Sequence, residues 1–134
     1  MNNENKKNGY IALVSLLIIS SITLFIAVNA NLFGISESRM ALDRANSSKA
    51  FYLANLCAEE ALIKLKDDSN YSGNETINTS RGNCEILLIE GSGETNRTVK
   101  TTGNFDNKTR KIKIEISRIN PLMEISSWEE VIDF

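Results

Sequence analysis

The stretch KKNGYIALVSLLIISSITLFIAVNANLFG, residues 6–34, contains two lysines and a glycine followed by a long apolar run. About twenty uncharged, mostly apolar residues lie between positions 10 and 30. A helix rises about 1.5 Å per residue, so such a run spans the roughly 30 Å hydrocarbon core of a bilayer. The sequence therefore predicts an N-terminal helix that is long enough to cross a membrane.

The charges around this run predict its orientation. Lys6 and Lys7 precede it, and the next basic residue is Arg39. The positive-inside bias then places the N-terminus in the cytoplasm and the remaining residues outside. A removed secretory signal is an alternative, because residues 28–30 (VNA) fit the pattern before a signal peptidase site, although secretory apolar regions usually hold only about 7–15 residues.

The helix is expected to continue beyond the membrane. Residues 32–65 contain no proline, and apolar side chains recur there in steps of three and four, which is typical of an amphipathic helix. These side chains are Phe51, Ala54, Ala58, Ala61, Leu62 and Leu65. Gly34 interrupts the pattern and is expected to bend or locally melt the helix, since a glycine costs about 1 kcal/mol relative to alanine.

The N-terminal half resembles a known family. The lysine-containing leader ends in Gly9, the aromatic Tyr10 follows, and a hydrophobic helix then leads into SKAFYLANLCAEEALIKLK, residues 48–66. This order resembles a type IV prepilin, most closely the minor pilins and pseudopilins of the PilX type, over residues 6 to about 66. The family's usual glutamate, four residues after the first mature residue, is here Val14, which argues against a major fibre-building role.

The resemblance implies how this region is processed and what it contacts. A prepilin peptidase would cut between Gly9 and Tyr10, and the new amino group of Tyr10 would be methylated. The helix would contact the lipid of the cytoplasmic membrane and then other pilin subunits. Small and hydroxyl residues would form that packing surface, namely Ala12, Ser15, Ser20, Ser21, Thr23 and Ala27.

The second half predicts a small β-domain. Residues 67–83 are rich in Asp, Asn, Ser and Gly and are expected to form a loop. Strands are predicted at residues 84–90, 97–102 and 108–118, the last because Ile112, Ile114 and Ile116 alternate with charged residues. The fold class is therefore α+β, with a long N-terminal helix packed on a small antiparallel β-meander.

The C-terminal residues predict one further strand. Pro121 ends the third strand, and residues 123–128 fit an edge strand followed by a frayed tail. Trp128 and Phe134 are expected to contribute to core and tail packing.

Two cysteines offer a covalent link. Cys57 lies on the apolar stripe of the helix and Cys84 lies at the start of the first predicted strand, and both fall on the oxidising side of the membrane. A bond between them would hold the helix against the sheet and close a loop of about 28 residues, which stabilises by roughly 3.5 kcal/mol. Two cysteines without a histidine argue against a zinc site.

Composition argues against catalysis and strong nucleic-acid binding. The chain has no histidine and no phosphate-binding loop, so we expect no enzyme, no cofactor and no metal site. The net charge is −2, and DNA binding is not expected because the basic residues are interleaved with strand positions. Those residues are Lys100, Lys108, Arg110, Lys111 and Lys113, which are expected to form a solvated sheet face.

These features give two candidate functions. The first is a structural minor subunit of a type IV pilus or a type II secretion-like pseudopilus, placed at the tip or in the initiation complex. The alternative is a membrane-anchored or secreted binding module whose helix is only a tether or signal. The predicted organisation is a leader (1–9), a transmembrane and assembly helix (10–31), an extracytoplasmic helix (32–66), a loop (67–83) and a β-domain with a tail (84–134).

Overall fold

The structure is a computed structural model that describes residues 3–134. It contains one α-helix, α1 (Asn3–Asp67), and five β-strands: β1 (Gly73–Thr79), β2 (Gly82–Leu88), β3 (Thr95–Phe105), β4 (Lys108–Arg118) and β5 (Glu124–Val131). The chain divides into a first unit that ends at Leu42 and a second unit, Asp43–Phe134. The predicted α+β class is confirmed, because α1 packs on an antiparallel sheet within the second unit.

The helix does not break at Gly34. It passes through this residue without interruption, so the predicted local melt is wrong. The neighbouring turns supply the i→i−4 hydrogen bonds that carry the helix past one glycine, whose cost of about 1 kcal/mol is small.

The sheet is a meander in which every strand pairs with the next one along the chain. Its most regular pair is β3 with β4, which stays in register from Thr95↔Arg118 to Phe105↔Lys108. The predicted alternation in β4 is confirmed, since Ile112, Ile114 and Ile116 are at most 1 % exposed. Their face of the sheet covers the helix.

The predicted loop at residues 67–83 is corrected by the structure. Strand β1 lies within it and pairs with β2 from Gly73↔Leu88 to Thr79↔Gly82. Its composition resembles a loop because an edge strand needs few apolar residues, and only Ile77 packs against the core. Gly73 has φ +73°, and a Cβ atom there would lie 2.2 Å from the Leu87 carbonyl oxygen, which explains a glycine at the start of the strand.

The C-terminal strand is longer than predicted. β5 includes residues that the sequence assigned to the tail, and it forms the edge beside β4. Trp128 is 41 % exposed, so its predicted place in the core is wrong. The fully buried sheet residues belong to the three central strands or follow them directly, and an edge strand has a neighbour on one side only.

The core lies between α1 and the central strands. The helix contributes small side chains, namely Ala50, Ala54, Cys57, Ala58 and Ala61, with Leu65 at its end. Small side chains allow a close approach: a Cβ atom at Gly103 of β3 would lie 2.1 Å from the Ala50 carbonyl oxygen and 2.4 Å from the Ala54 amide nitrogen. The buried Thr101 hydroxyl donates a hydrogen bond to the Ala54 carbonyl oxygen at 2.9 Å.

Candidate interaction surface

The first part of α1 exposes its apolar side chains in the isolated chain. Tyr10, Leu16, Phe25 and Phe33 are each at least 71 % exposed, and the large hydrophobic residues between positions 10 and 35, apart from Val14, are more than half exposed. An apolar surface of this size is not stable in water, because each Å² of buried apolar area is worth about 25 cal/mol. By length and composition this helix could span a membrane.

The polar groups of this segment are satisfied within the helix. Ser15, Ser20, Ser21 and Thr23 each donate their hydroxyl proton to a backbone carbonyl oxygen three or four residues earlier, at 2.8–2.9 Å. In lipid an unsatisfied polar group costs several kcal/mol, so these bonds suit an apolar environment. The hydroxyls therefore keep only acceptor lone pairs for a neighbouring helix, whose contact would rest mainly on packing.

A stripe of small residues follows one side of this segment. We call it the small-residue stripe, and it comprises Ser20, Thr23, Ala27, Ala30, Gly34, Ser38 and Ala41, all exposed. The intervals of three and four residues keep its members within about 80° of one another around the helix. Small side chains let two helix backbones come close, which is the main source of attraction between helices in lipid.

The small-residue stripe coincides only in part with the packing surface that the sequence predicted, which stays a prediction. Ala12, Ser20, Thr23 and Ala27 of the predicted set lie on its side of the helix, whereas Ser15 and Ser21 lie outside it. The spacing of small residues along the sequence indicates the stripe, but the predicted set was chosen by residue type and not by angular position around the helix. The predicted set did not include the later members of the stripe, Ala30, Gly34, Ser38 and Ala41.

The predicted processing and assembly residues lie near the start of the described chain. Gly9 and Tyr10 are helical and exposed, with Tyr10 at 71 %. A Cβ atom at Gly9 would meet open space, apart from the neighbouring residues and backbone of its own helix. Val14 is half-buried by its helical neighbours.

In the second unit a disulfide bond joins the helix to the sheet. Cys57 and Cys84 are bonded with an S–S distance of 2.02 Å and a Cα–Cα distance of 6.0 Å. Both residues are completely buried. Because Cys84 pairs with Ile77 of β1 and with Gly103 of β3, the bond fixes α1 to the middle of the β1–β2–β3 ladder.

A second link between α1 and β1 is electrostatic. Glu75 accepts hydrogen bonds from the Lys64 ammonium at 2.6 Å and from the Tyr71 hydroxyl at 2.9 Å. The bond from Lys64, and then that from Tyr71, lower the pKa of the Glu75 carboxyl. Burial of Tyr71, followed by its bond to Glu75, raises the pKa of its hydroxyl to about 12. The Tyr71 hydroxyl therefore stays protonated, and the Glu75 carboxyl stays ionised, over a wide pH range.

Arg97 is a buried cation that the sequence did not reveal. It is 4 % exposed, and its guanidinium donates hydrogen bonds to the carbonyl oxygens of Ser69, Tyr71 and Gly93. These carbonyls belong to the loop after α1 and the loop before β3. Arg97 thus connects two loops, and its place on the inner face of β3 could be recognised only from the register of the sheet.

The basic residues predicted to form one sheet face lie on both faces: Lys108 and Arg110 contact Asp43 and Ser47 of α1, whereas the other three lie on the opposite face. Each of the five residues pairs with a carboxylate: Lys100 with Glu90, Lys108 with Asp43, Arg110 with Glu130, Lys111 with Asp133 and Lys113 with Glu115. Two of these carboxylates come from β5 or the residues that follow it. Paired charges offer less attraction to phosphates than the sequence count of basic residues indicates.

The acidic residues do not form a metal site in the part of the chain that the structure describes. No group of three or more His, Cys, Asp or Glu side chains is placed there to hold a metal ion.

Comparison of the chain with models of protein families, with curated proteins and with solved structures finds no match.

Proposed function

We propose that the chain is a structural subunit of a type IV pilus or a type II secretion-like pseudopilus. The observation that carries the proposal is the division of one helix into two environments. Its first part is apolar and uncovered, and its second part is covered by a disulfide-linked sheet. Such a helix suits a protein that is held in a membrane and then packs its N-terminal segment against other subunits.

The small-residue stripe supports assembly through the helix. A helix that only anchors a protein can expose large side chains to lipid on every side. Seven successive positions of Ala, Ser, Thr or Gly on one side instead favour a close contact with another helix. The intrahelical bonds of Ser20 and Thr23 agree with a contact made by packing rather than by donated hydrogen bonds.

Val14 favours a minor subunit at the tip or in the initiation complex. In the family that the chain resembles, a glutamate at this position is thought to meet the amino group of a neighbouring subunit. A carboxylate in lipid costs about 2.5–3.5 kcal/mol, which a partner charge offsets. Val14 has neither the cost nor the attraction, so the chain would be placed first and in few copies. Quantitative labelling that finds it along the whole filament as its most abundant component would contradict this assignment.

The N-terminus of the mature protein tests the proposed function most directly. A chain that begins at methylated Tyr10 supports a pilin-type subunit. A chain that begins at Asn31 identifies a secreted protein, and one that keeps Met1 identifies a plain anchor. Intact-protein mass spectrometry distinguishes these three masses, and either of the last two would refute the proposal.

Substitutions on the small-residue stripe test assembly separately. Gly34→Leu or Ala30→Leu places a large side chain on the stripe, and we expect the chain to leave the filament fraction. Phe33→Leu and Val28→Leu are matched controls, because both residues are exposed and lie off the stripe. Incorporation by all four variants would show that this side of the helix makes no close contact.

A further inference from the structure

A small groove lies between α1 and two turns of the sheet. Its helix wall faces the turn between β1 and β2 and the end of β3, and its volume is about 220 Å³. We call it the basic groove; it is lined by Lys49, Tyr52, Leu53, Leu56, Arg81 and Phe105. All of these residues belong to the second unit, so the groove lies within one compact body.

The wall of the basic groove is apolar and accessible. Tyr52 is 70 % exposed and Leu56 is 46 % exposed, although both lie on a helix whose opposite side is buried. Sites for small-molecule ligands usually measure about 300–1,000 Å³. The basic groove is smaller, and its size suits one anchoring side chain of a partner, as at the centre of a protein interface.

The two cations of the basic groove differ from most others in the second unit. Within the described residues, neither Lys49 nor Arg81 has a carboxylate at salt-bridge distance. The Lys49 ammonium lies 4.6 Å from the centre of the Phe105 ring, which holds it beside the apolar wall. The cations that do pair with carboxylates are Lys64, Lys100, Lys108, Arg110, Lys111, Lys113 and Arg118.

We propose that the basic groove binds a segment of another protein in which one apolar side chain lies between two carboxylates. The apolar side chain would contact Tyr52 and Leu56, and the carboxylates would pair with Lys49 and Arg81. The planar fork of arginine favours a carboxylate held by two parallel hydrogen bonds. The two cations thus favour a partner segment with negative charge, and the volume of the groove fits a single side chain of that segment.

The same features argue against the other anionic partners. The acyl chain of a lipid is much longer than a groove of about 220 Å³ can enclose. Nucleic acid binds through many phosphates at once, and two cations release too few counterions for appreciable affinity. The inference does not depend on pilus assembly, because an anchored binding module would use the groove in the same way.

The probe for the experiment is an acetylated and amidated peptide, Ser-Glu-Leu-Glu-Ser, with Ser-Lys-Leu-Lys-Ser as its matched counterpart. Each is titrated into the full chain in uncharged detergent micelles while the methyl signals of Leu53 and Leu56 are followed by NMR. We expect saturable shifts with the acidic peptide only. Binding should weaken as salt is added, because exposed charges are screened beyond about 10 Å at 0.1 M.

Charge reversal provides the decisive comparison. The double variant Lys49→Glu/Arg81→Glu should bind the acidic peptide roughly tenfold more weakly, since two exposed ion pairs become two repulsions. It should also gain binding of the basic peptide. The matched control Arg44→Glu/Lys66→Glu makes the same change in net charge outside the basic groove and should keep the affinity within about twofold.

Three results would overturn the proposal. The first is equal affinity for the acidic and the basic peptide, and the second is no saturable shift up to about 10 mM peptide. The third is a shift of the same methyl signals when an anionic lipid is added to the micelles without peptide, which would assign the groove to lipid. Spectra of each variant without peptide show whether its fold is intact.

Discussion

Removal of the disulfide bond should destabilise the second unit more than the loss of any single apolar contact. The perturbation is the double substitution Cys57→Ala/Cys84→Ala. Alanine avoids the buried hydroxyl that serine would leave, since both cysteines are completely buried. The sheet then remains attached to α1 through non-covalent contacts, among them core packing, the Thr101 hydrogen bond, the Lys64–Glu75 bond and the Lys108–Asp43 ion pair.

The expected size of the effect follows from the loop that the bond closes. The two cysteines are 27 residues apart. The chain-entropy relation for a loop of this length gives about 3.5 kcal/mol at 25 °C, and the loss of two buried sulfur atoms acts in the same direction. A domain of 60–100 residues loses about 4–8 °C in Tm for each kcal/mol. The melting temperature should therefore fall by roughly 15–25 °C.

The assay is thermal unfolding of residues 36–134, followed by circular dichroism. The unreduced protein, the protein with a reductant and the double variant are compared. Reduction should bring the first protein close to the double variant, and the double variant itself should not respond to the reductant. A fall of less than about 5 °C in the double variant, or free thiols in the unreduced folded protein, would refute the reasoning.

Two further predictions concern the contacts between the helix and the sheet. Gly103→Ala should destabilise the second unit by about 1–3 kcal/mol, because the new methyl group meets helix backbone atoms that cannot move without separating α1 from β3. Unfolding in urea measures this change in stability. Thr98→Ala, on the other face of β3, is the control. Because the pKa of Tyr71 is raised from 10.0 to about 12 on folding, its contribution to stability should be complete below pH 10 and should be lost as the pH rises through about 12. The free energy of unfolding should fall between pH 9 and about pH 12 in the unsubstituted protein, and it should fall less in Tyr71→Phe. Equal falls in the two proteins would contradict the prediction.

The sequence predicted the parts of the fold whose signal is local. The alternation of isoleucine with charged residues predicts β4 with its observed bounds, and the helical period of small apolar residues predicts the face of α1 that the sheet covers. β1 was missed because its pairing with β2 is decided by tertiary contacts, while its composition is that of a loop. Trp128 was misplaced because an aromatic residue in an edge strand reaches water on one side.

One of the two candidate surfaces could be predicted from local sequence signals, and the other could not. The apolar run of α1 is visible in composition, and the small-residue stripe follows from helical geometry once angular positions are compared. The basic groove was not predictable. Lys49, Arg81 and Phe105 are far apart in the chain, and which cations lack a carboxylate depends on the register of β3, β4 and β5.

The small side chains of the buried helix face explain why the second unit depends on a covalent link. Each buried alanine removes much less apolar area from water than a leucine would, so Ala50, Ala54, Ala58 and Ala61 contribute little hydrophobic stabilisation. What they provide is a short distance between helix and sheet, which Gly103 uses. A close contact with little buried area gains specificity at the expense of stability, because alanines rather than larger interdigitating side chains make up most of the completely buried helix face. The disulfide bond restores that stability by limiting the unfolded chain, and it leaves the narrow contact unchanged.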